Sequence, residues 1–105
     1  MSDTIKWQGA SGMSYEYWIY PINRISFKAE AGNYCVAKEV EPGRFRPLYF
    51  GETADLSERF DNHHKWSCFT RNGATHIHAH TNSSQKARLD EEKDLIHKWN
   101  PSCNG

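Results

Sequence analysis

Apolar and polar positions alternate along much of this chain, and the alternation marks strands. Tyr15, Tyr17 and Ile19 are interleaved with Glu16, Trp18 and Tyr20, an aromatic-rich stretch of strand character that Pro21 and Asn23 end. From 33 to 40, Tyr34, Val36 and Lys38 share one face while Cys35, Ala37 and Glu39 share the other. Glu41-Pro42-Gly43 is a turn signal, and residues 45–51 read as the returning strand, with Pro47 giving it an irregular start. These two strands form a hairpin. Further on, Thr75, Ile77 and Ala79 alternate with His76, His78 and His80, which predicts a half-buried strand with a polar histidine face. Residues 1–13 are polar, carry Gly9, Ser11 and Gly12, and read as irregular.

Two helices complete the pattern. Asp55 followed by Glu58 reads as a helix start, with acid at its positive end, and the helix is expected to run to about His63 or beyond. Ser83 or Ser84 caps the last helix and Pro101 marks its end. At roughly 100° per residue, Leu89, Leu95, Ile96 and Trp99 of this helix share a sector, and Glu92 falls near its centre. The order β, ββ, α, β, α predicts an α+β domain: a small, mostly antiparallel three-stranded sheet flanked by helices, with an extra aromatic strand in the extension 1–31 preceding a core over 32–105.

At 105 residues there is room for one compact domain, and four Trp, five Tyr and five Phe predict a small core of large rings. Thirteen basic and thirteen acidic residues cancel, which argues against a protein that simply coats nucleic acid but leaves room for a local basic cleft. Cys35, Cys68 and Cys103 are odd in number and widely spaced, so no disulfide framework is expected. No signal segment or membrane-spanning run is visible, and the expectation is a reduced, cytoplasmic protein.

Several side chains are candidates for chemistry. A carboxylate such as Glu92, facing a core, needs a cation, a hydrogen-bond network or a metal; a structural ion pair would satisfy it equally. Arg59 and His63 are four apart and would share a helix face, the guanidinium suited to a phosphate and the imidazole to a proton or a phosphate oxygen. An ordinary amphipathic helix would show the same spacing. Gly51, just before Glu52-Thr53, suggests close approach of the backbone to a neighbour or ligand. His63, His64, Cys68, His76, His78 and His80 offer a competing chemistry as zinc ligands, although no Cys-x-x-Cys pair accompanies them.

Gly32-Asn33-Tyr34, Tyr49-Phe50-Gly51, Arg59, His63, Glu92 and the closing Pro101-Ser-Cys-Asn104, in that order and spacing, resemble the GIY-YIG nuclease family across about residues 32–104. The family includes the incision domain of the bacterial excision-repair nuclease, homing endonucleases and restriction enzymes. The resemblance implies a DNA endonuclease with a Mg²⁺ or Mn²⁺ ion held by the single carboxylate of Glu92. Tyr34, Tyr49 or His63 would take the proton of an attacking water, Arg59 would stabilise charge on the phosphate, and Asn104 would support the site. Asn33 replaces an apolar residue and Phe50 an isoleucine of the family pattern. Glu52 stands where lysine or a small polar residue is common, an acid expected to repel substrate or to add a metal ligand. A double-strand cut would need a homodimer or two successive nicks, and a partner would supply specificity. The neutral charge and the lack of an attached DNA-binding domain favour the alternative of a GIY-YIG-fold binding or adaptor module with little catalysis.

Overall fold

The computed structural model describes residues 3–23, 26–58 and 60–104, Asp61 by its backbone alone. Five strands form one antiparallel sheet: β1 (Thr4–Gln8), β2 (Ser14–Pro21), β3 (Gly32–Glu41), β4 (Arg44–Thr53) and β5 (His76–Thr81). Their spatial order is β1-β2-β5-β3-β4. Two helices accompany it, α1 (Trp66–Arg71) and α2 (Gln85–Trp99).

The expected α+β class with an antiparallel sheet is present, but the sheet has five strands rather than three. The aromatic strand is β2, paired along β5 through Trp18↔Ala79 and Tyr20↔Ile77. The supposedly irregular start contains β1, which pairs with β2 from Thr4↔Trp18 to Gln8↔Ser14. Gly9 and Gly12 punctuate the turn that joins them, closed by the Gly12 N–H to Gly9 carbonyl bond. The predicted hairpin is β3–β4, and Gly43 adopts the positive φ of 77° that its turn requires. Register slips between Val36 and Ala37, next to Pro47, which sits on the edge strand where a missing N–H is tolerated.

Both sheet faces are covered. Val36, Ile77 and Ala79 pack with Leu48, Leu56 and Phe69 on one face. Cys35, Ala37 and Phe50 pack with Trp7, Tyr17 and Leu95 of α2 on the other. His78 therefore lies fully buried instead of on a polar histidine face. Trp7 Nε1–H donates to its Nδ1 at 3.1 Å, and burial drives its pKa down to about 3.

Helix α2 starts and stops as expected. Ser84 Oγ accepts the Ala87 N–H, and Asn100 takes the left-handed conformation ahead of Pro101. Its buried face, however, is Arg88, Glu91 and Leu95, while Leu89 and Trp99 are exposed and Glu92 is half-buried. The helix expected over 55–63 is absent among the described residues. Asp55 Oδ1 accepts from the Ser57 N–H and hydroxyl, and only a short 3-10 turn follows at Phe60–Asn62. An aspartate that bonds its own backbone two residues on makes a turn as readily as a helix cap.

The expectation of reduced cysteines is overturned in part. Cys68 of α1 and Cys103 are disulfide-bonded, their Cα atoms 5.9 Å apart, and only Cys35 is free, buried in the sheet. The bond closes a separation of 35 residues. It pins the segment around Asn104 under α1.

Candidate functional site

The hairpin register decides where the two tyrosines meet. Tyr34 stands opposite Gly51, and Tyr49 opposite Val36, so both phenols are on the same face, displaced by two residues. A Cβ on Gly51 would lie 2.5 Å from Tyr34 Cζ and Oη and 2.8 Å from Tyr49 Cε1. The close approach expected at Gly51 is therefore to these rings. They stack at 6.0 Å with 25° between planes.

His63 comes over the same pair. Its Nε2 is 2.7 Å from Tyr34 Oη, and its ring sits edge-on to Tyr49 at 5.1 Å. The Lys65 backbone N–H donates to His63 Nδ1 at 3.0 Å. Nδ1 thus presents a lone pair, so a neutral His63 carries its proton on Nε2 and donates to Tyr34. Burial, then the charges of His64 and Lys65, lowers its pKa to about 4, so it is neutral at pH 7. With its oxygen accepting from His63, Tyr34 turns its own proton toward Tyr49. Burial, the neighbouring Tyr49 and the charges of Glu92 and Glu52 raise the Tyr34 pKa far above that of a free phenol. Burial and Glu92 also raise that of Tyr49.

Glu92 lies at the β4 edge. It accepts the backbone N–H of Glu52, while burial and the Glu52 charge hold its carboxyl above the ordinary range. Glu52 is not a free acid facing the site: Arg88 Nε donates to its Oε1 at 3.0 Å, from a guanidinium that also donates to the Asn82 carbonyl. Asn104 grips the same edge further along. Its Oδ1 accepts from Phe50 N–H at 2.9 Å and its Nδ2 donates to the Phe50 carbonyl at 3.0 Å. Glu92 and Asn104 together satisfy backbone groups that an edge strand leaves open.

Tyr34, Tyr49 and His63 thus converge in direct contact. Glu92 acts on both phenols through its field, and Asn104 braces the strand that carries Tyr49. Arg59 lies outside the described residues. Tyr34 and His63 line a pocket of about 400 Å³ with Asp55 and Phe60. Glu92 lines a separate depression on α2, with Leu89, Lys93 and His97.

No protein-family model matches the chain, and no curated protein or solved structure is significantly similar to it. Among the described residues no three His, Cys, Asp or Glu side chains are grouped to hold a metal ion, so the histidine set proposed for zinc is dispersed. His80 shows why. Its Nε2 bonds Glu91 at 2.6 Å and its Nδ1 the Thr81 carbonyl at 3.1 Å, two acceptors that call for the imidazolium form.

Sequence periodicity missed this buried pair, in which Glu91 also takes the Tyr17 hydroxyl at 2.5 Å. The signal was present in the spacing of Arg88, Glu91 and Leu95, three residues of one helical face. Burial lowers the His80 pKa, but the Glu91 bond and charge outweigh it and the net shift is upward. The pair therefore stabilises the fold fully below the unfolded-state value near 6.5, and that contribution is lost as pH rises through the higher folded value. His80→Gln should show its largest stability deficit below pH 6.5 and a shrinking one above. Chemical denaturation across pH 5–9 checks this, and a deficit constant with pH would contradict it.

Proposed function

We propose that this protein is a metal-dependent endonuclease that hydrolyses phosphodiester bonds in DNA. The observation that carries the reading is the hydrogen-bonded run from His63 Nε2 through Tyr34 toward Tyr49, set in the field of Glu92. The motif order that resembles the GIY-YIG nucleases supports it.

The donor set fits a hydrated hard ion. Glu92 is a half-buried carboxylate whose pKa burial raises, and with Glu52 paired to Arg88 its own charge is the one that a cation would relieve. A bound Mg²⁺ or Mn²⁺ would supply Lewis-acid stabilisation of the phosphate and leaving oxygens. The protein's own groups divide the remaining work. His63 donates to the Tyr34 oxygen, and a cation at Glu92 would cancel one of the charges that, with burial, keep the phenol protonated. Tyr34 first gives its own proton to solvent; as the phenolate it takes the proton of the attacking water, with Tyr49 donating to its other side. Phosphorus gains the water oxygen and loses the sugar oxygen, which leaves with a proton from solvent. Arg59, as the resemblance has it, meets the phosphate.

Tyr34→Phe should keep the fold and lower the single-turnover nicking rate about 100-fold or more, the scale of general acid–base catalysis. Nicking by Tyr34→Phe at the wild-type rate would remove Tyr34 from the mechanism. The separation of Glu92 from the Tyr34 pocket favours one alternative, a binding or adaptor module of the same fold with little catalysis. DNA retained without cleavage at high protein concentration in Mn²⁺ would select it. Specificity is drawn from a partner or a second copy. No described helix is long and apolar enough to cross a membrane.

A further inference from the structure

A second cavity, of about 590 Å³, lies beside the Tyr34–His63 pocket, and the two share Leu56, Ser57, Glu58 and Phe60 as a common wall. Phe27, Phe60 and Trp66 give it aromatic surface. The rings are not isolated: Phe27 meets Phe60 edge-on at 6.2 Å, and Phe60 meets Tyr34 edge-on at 5.0 Å. A ladder of aromatic contacts therefore runs from this cavity into the candidate site. Among its described lining residues Glu58 alone is charged, and Asn23, Ser26 and Ser57 add neutral polar groups around the aromatic surface. A neutral, flat ring with a polar edge suits it, the ring against the aromatics and the edge toward Glu58 and Ser57, since a carboxylate accepts from a base amino group.

We infer that this cavity is a subsite for one unpaired nucleobase of the DNA substrate, next to the phosphate held at the Tyr34 pocket. The inference rests on the nuclease reading and narrows it. The substrate is DNA with an unpaired nucleotide beside the cut, since a base inside a duplex cannot reach a lateral cavity without leaving the stack. The shared wall puts base and phosphate sites side by side, as consecutive parts of one nucleotide chain require.

The test uses the full chain carrying Glu92→Gln, in EDTA, so that binding is read without cleavage. The probes are a labelled duplex with one unpaired nucleotide, the same duplex with an abasic residue there, and the fully paired duplex. Fluorescence anisotropy should show the base-bearing probe binding about tenfold tighter than the abasic one. Phe27→Ala should erase that difference and leave affinity for the paired duplex unchanged. Thr70→Met fills the cavity from an exposed position of α1 and should erase it without disturbing the core. Equal binding of base-bearing and abasic probes, binding of neither, or a preference that survives in folded Phe27→Ala and Thr70→Met would overturn the inference. The nuclease reading fails separately. A base preference without Mn²⁺-dependent nicking by the wild type leaves the subsite and removes the catalysis, and nicking without a base preference does the reverse.

Discussion

Glu92→Gln is expected to lower metal-dependent nicking by about a thousandfold or more, the several kcal/mol that a Lewis-acid ion contributes to a phosphoryl transition state. The exchange keeps the size of the side chain and its ability to accept the Glu52 N–H, and removes only the charge. Because burial and Glu52 raise the carboxyl pKa, the ionised form is disfavoured in the folded state. Its stability contribution is therefore negative above the unfolded carboxylate range and relieved as pH falls. The Gln variant should accordingly melt at the wild-type temperature or slightly higher at pH 7. Loss of activity together with a lowered melting temperature would mean that Glu92 is structural. The same variant should lower the pKa of Tyr34 and Tyr49, since the charge that raises both is gone.

Gly51→Ala is expected to be the most damaging small substitution in the site. The added methyl meets Tyr34 Cζ and Oη at 2.5 Å, so the ring must shift from its place against Tyr49 and His63, toward the pocket it lines. Phe60 lies against one side of its ring at 5.0 Å, Tyr49 stacks beside it, and the residue is buried. Overpacking of this kind destabilises by about 1–3 kcal/mol, and a hydroxyl pushed away from His63 adds to the loss. Denaturant midpoints should place the variant at the upper end of that range. Its nicking rate should fall at least as far as that of Tyr34→Phe. Wild-type stability and rate in Gly51→Ala would show that the Tyr34 ring is held elsewhere than over this glycine.

How much of this was legible in the chain depended on the range of the interactions. The β3–β4 hairpin was readable because its signal is local: alternation on two strands and a Glu-Pro-Gly turn between them. Helix α2 was readable from Ser84 and Pro101 for the same reason. The phase of α2 was not. Arg88 and Glu91 are polar residues made tolerable in the interior by Glu52, Tyr17 and His80, partners supplied by other elements. A periodicity count treats such residues as solvent-facing, so it moved the buried face toward Leu89 and Trp99 and centred it on Glu92.

Strand β1 has the opposite difficulty. Its run Thr-Ile-Lys-Trp-Gln is too polar to stand out, and only its pairing with β2 and the burial of Trp7 make it a strand. The helix expected from Asp55 failed because Asp55 spends its side chain on Ser57 in a turn. The meeting of Tyr34, Tyr49 and His63 depends on the hairpin register, which the order of residues does not fix, and the tautomer of His63 needed the Lys65 N–H to be seen. The Cys68–Cys103 pairing joins residues with no spacing signature at all.

The most direct measurement is conversion of supercoiled plasmid to the nicked form by the wild-type chain, in Mn²⁺ or Mg²⁺ and in EDTA, with Glu92→Gln alongside. The account predicts nicking by the wild type with a divalent ion, none in EDTA and none by the variant. Intact plasmid after incubation with excess folded wild-type protein and either ion, or equal nicking by Glu92→Gln, would contradict it.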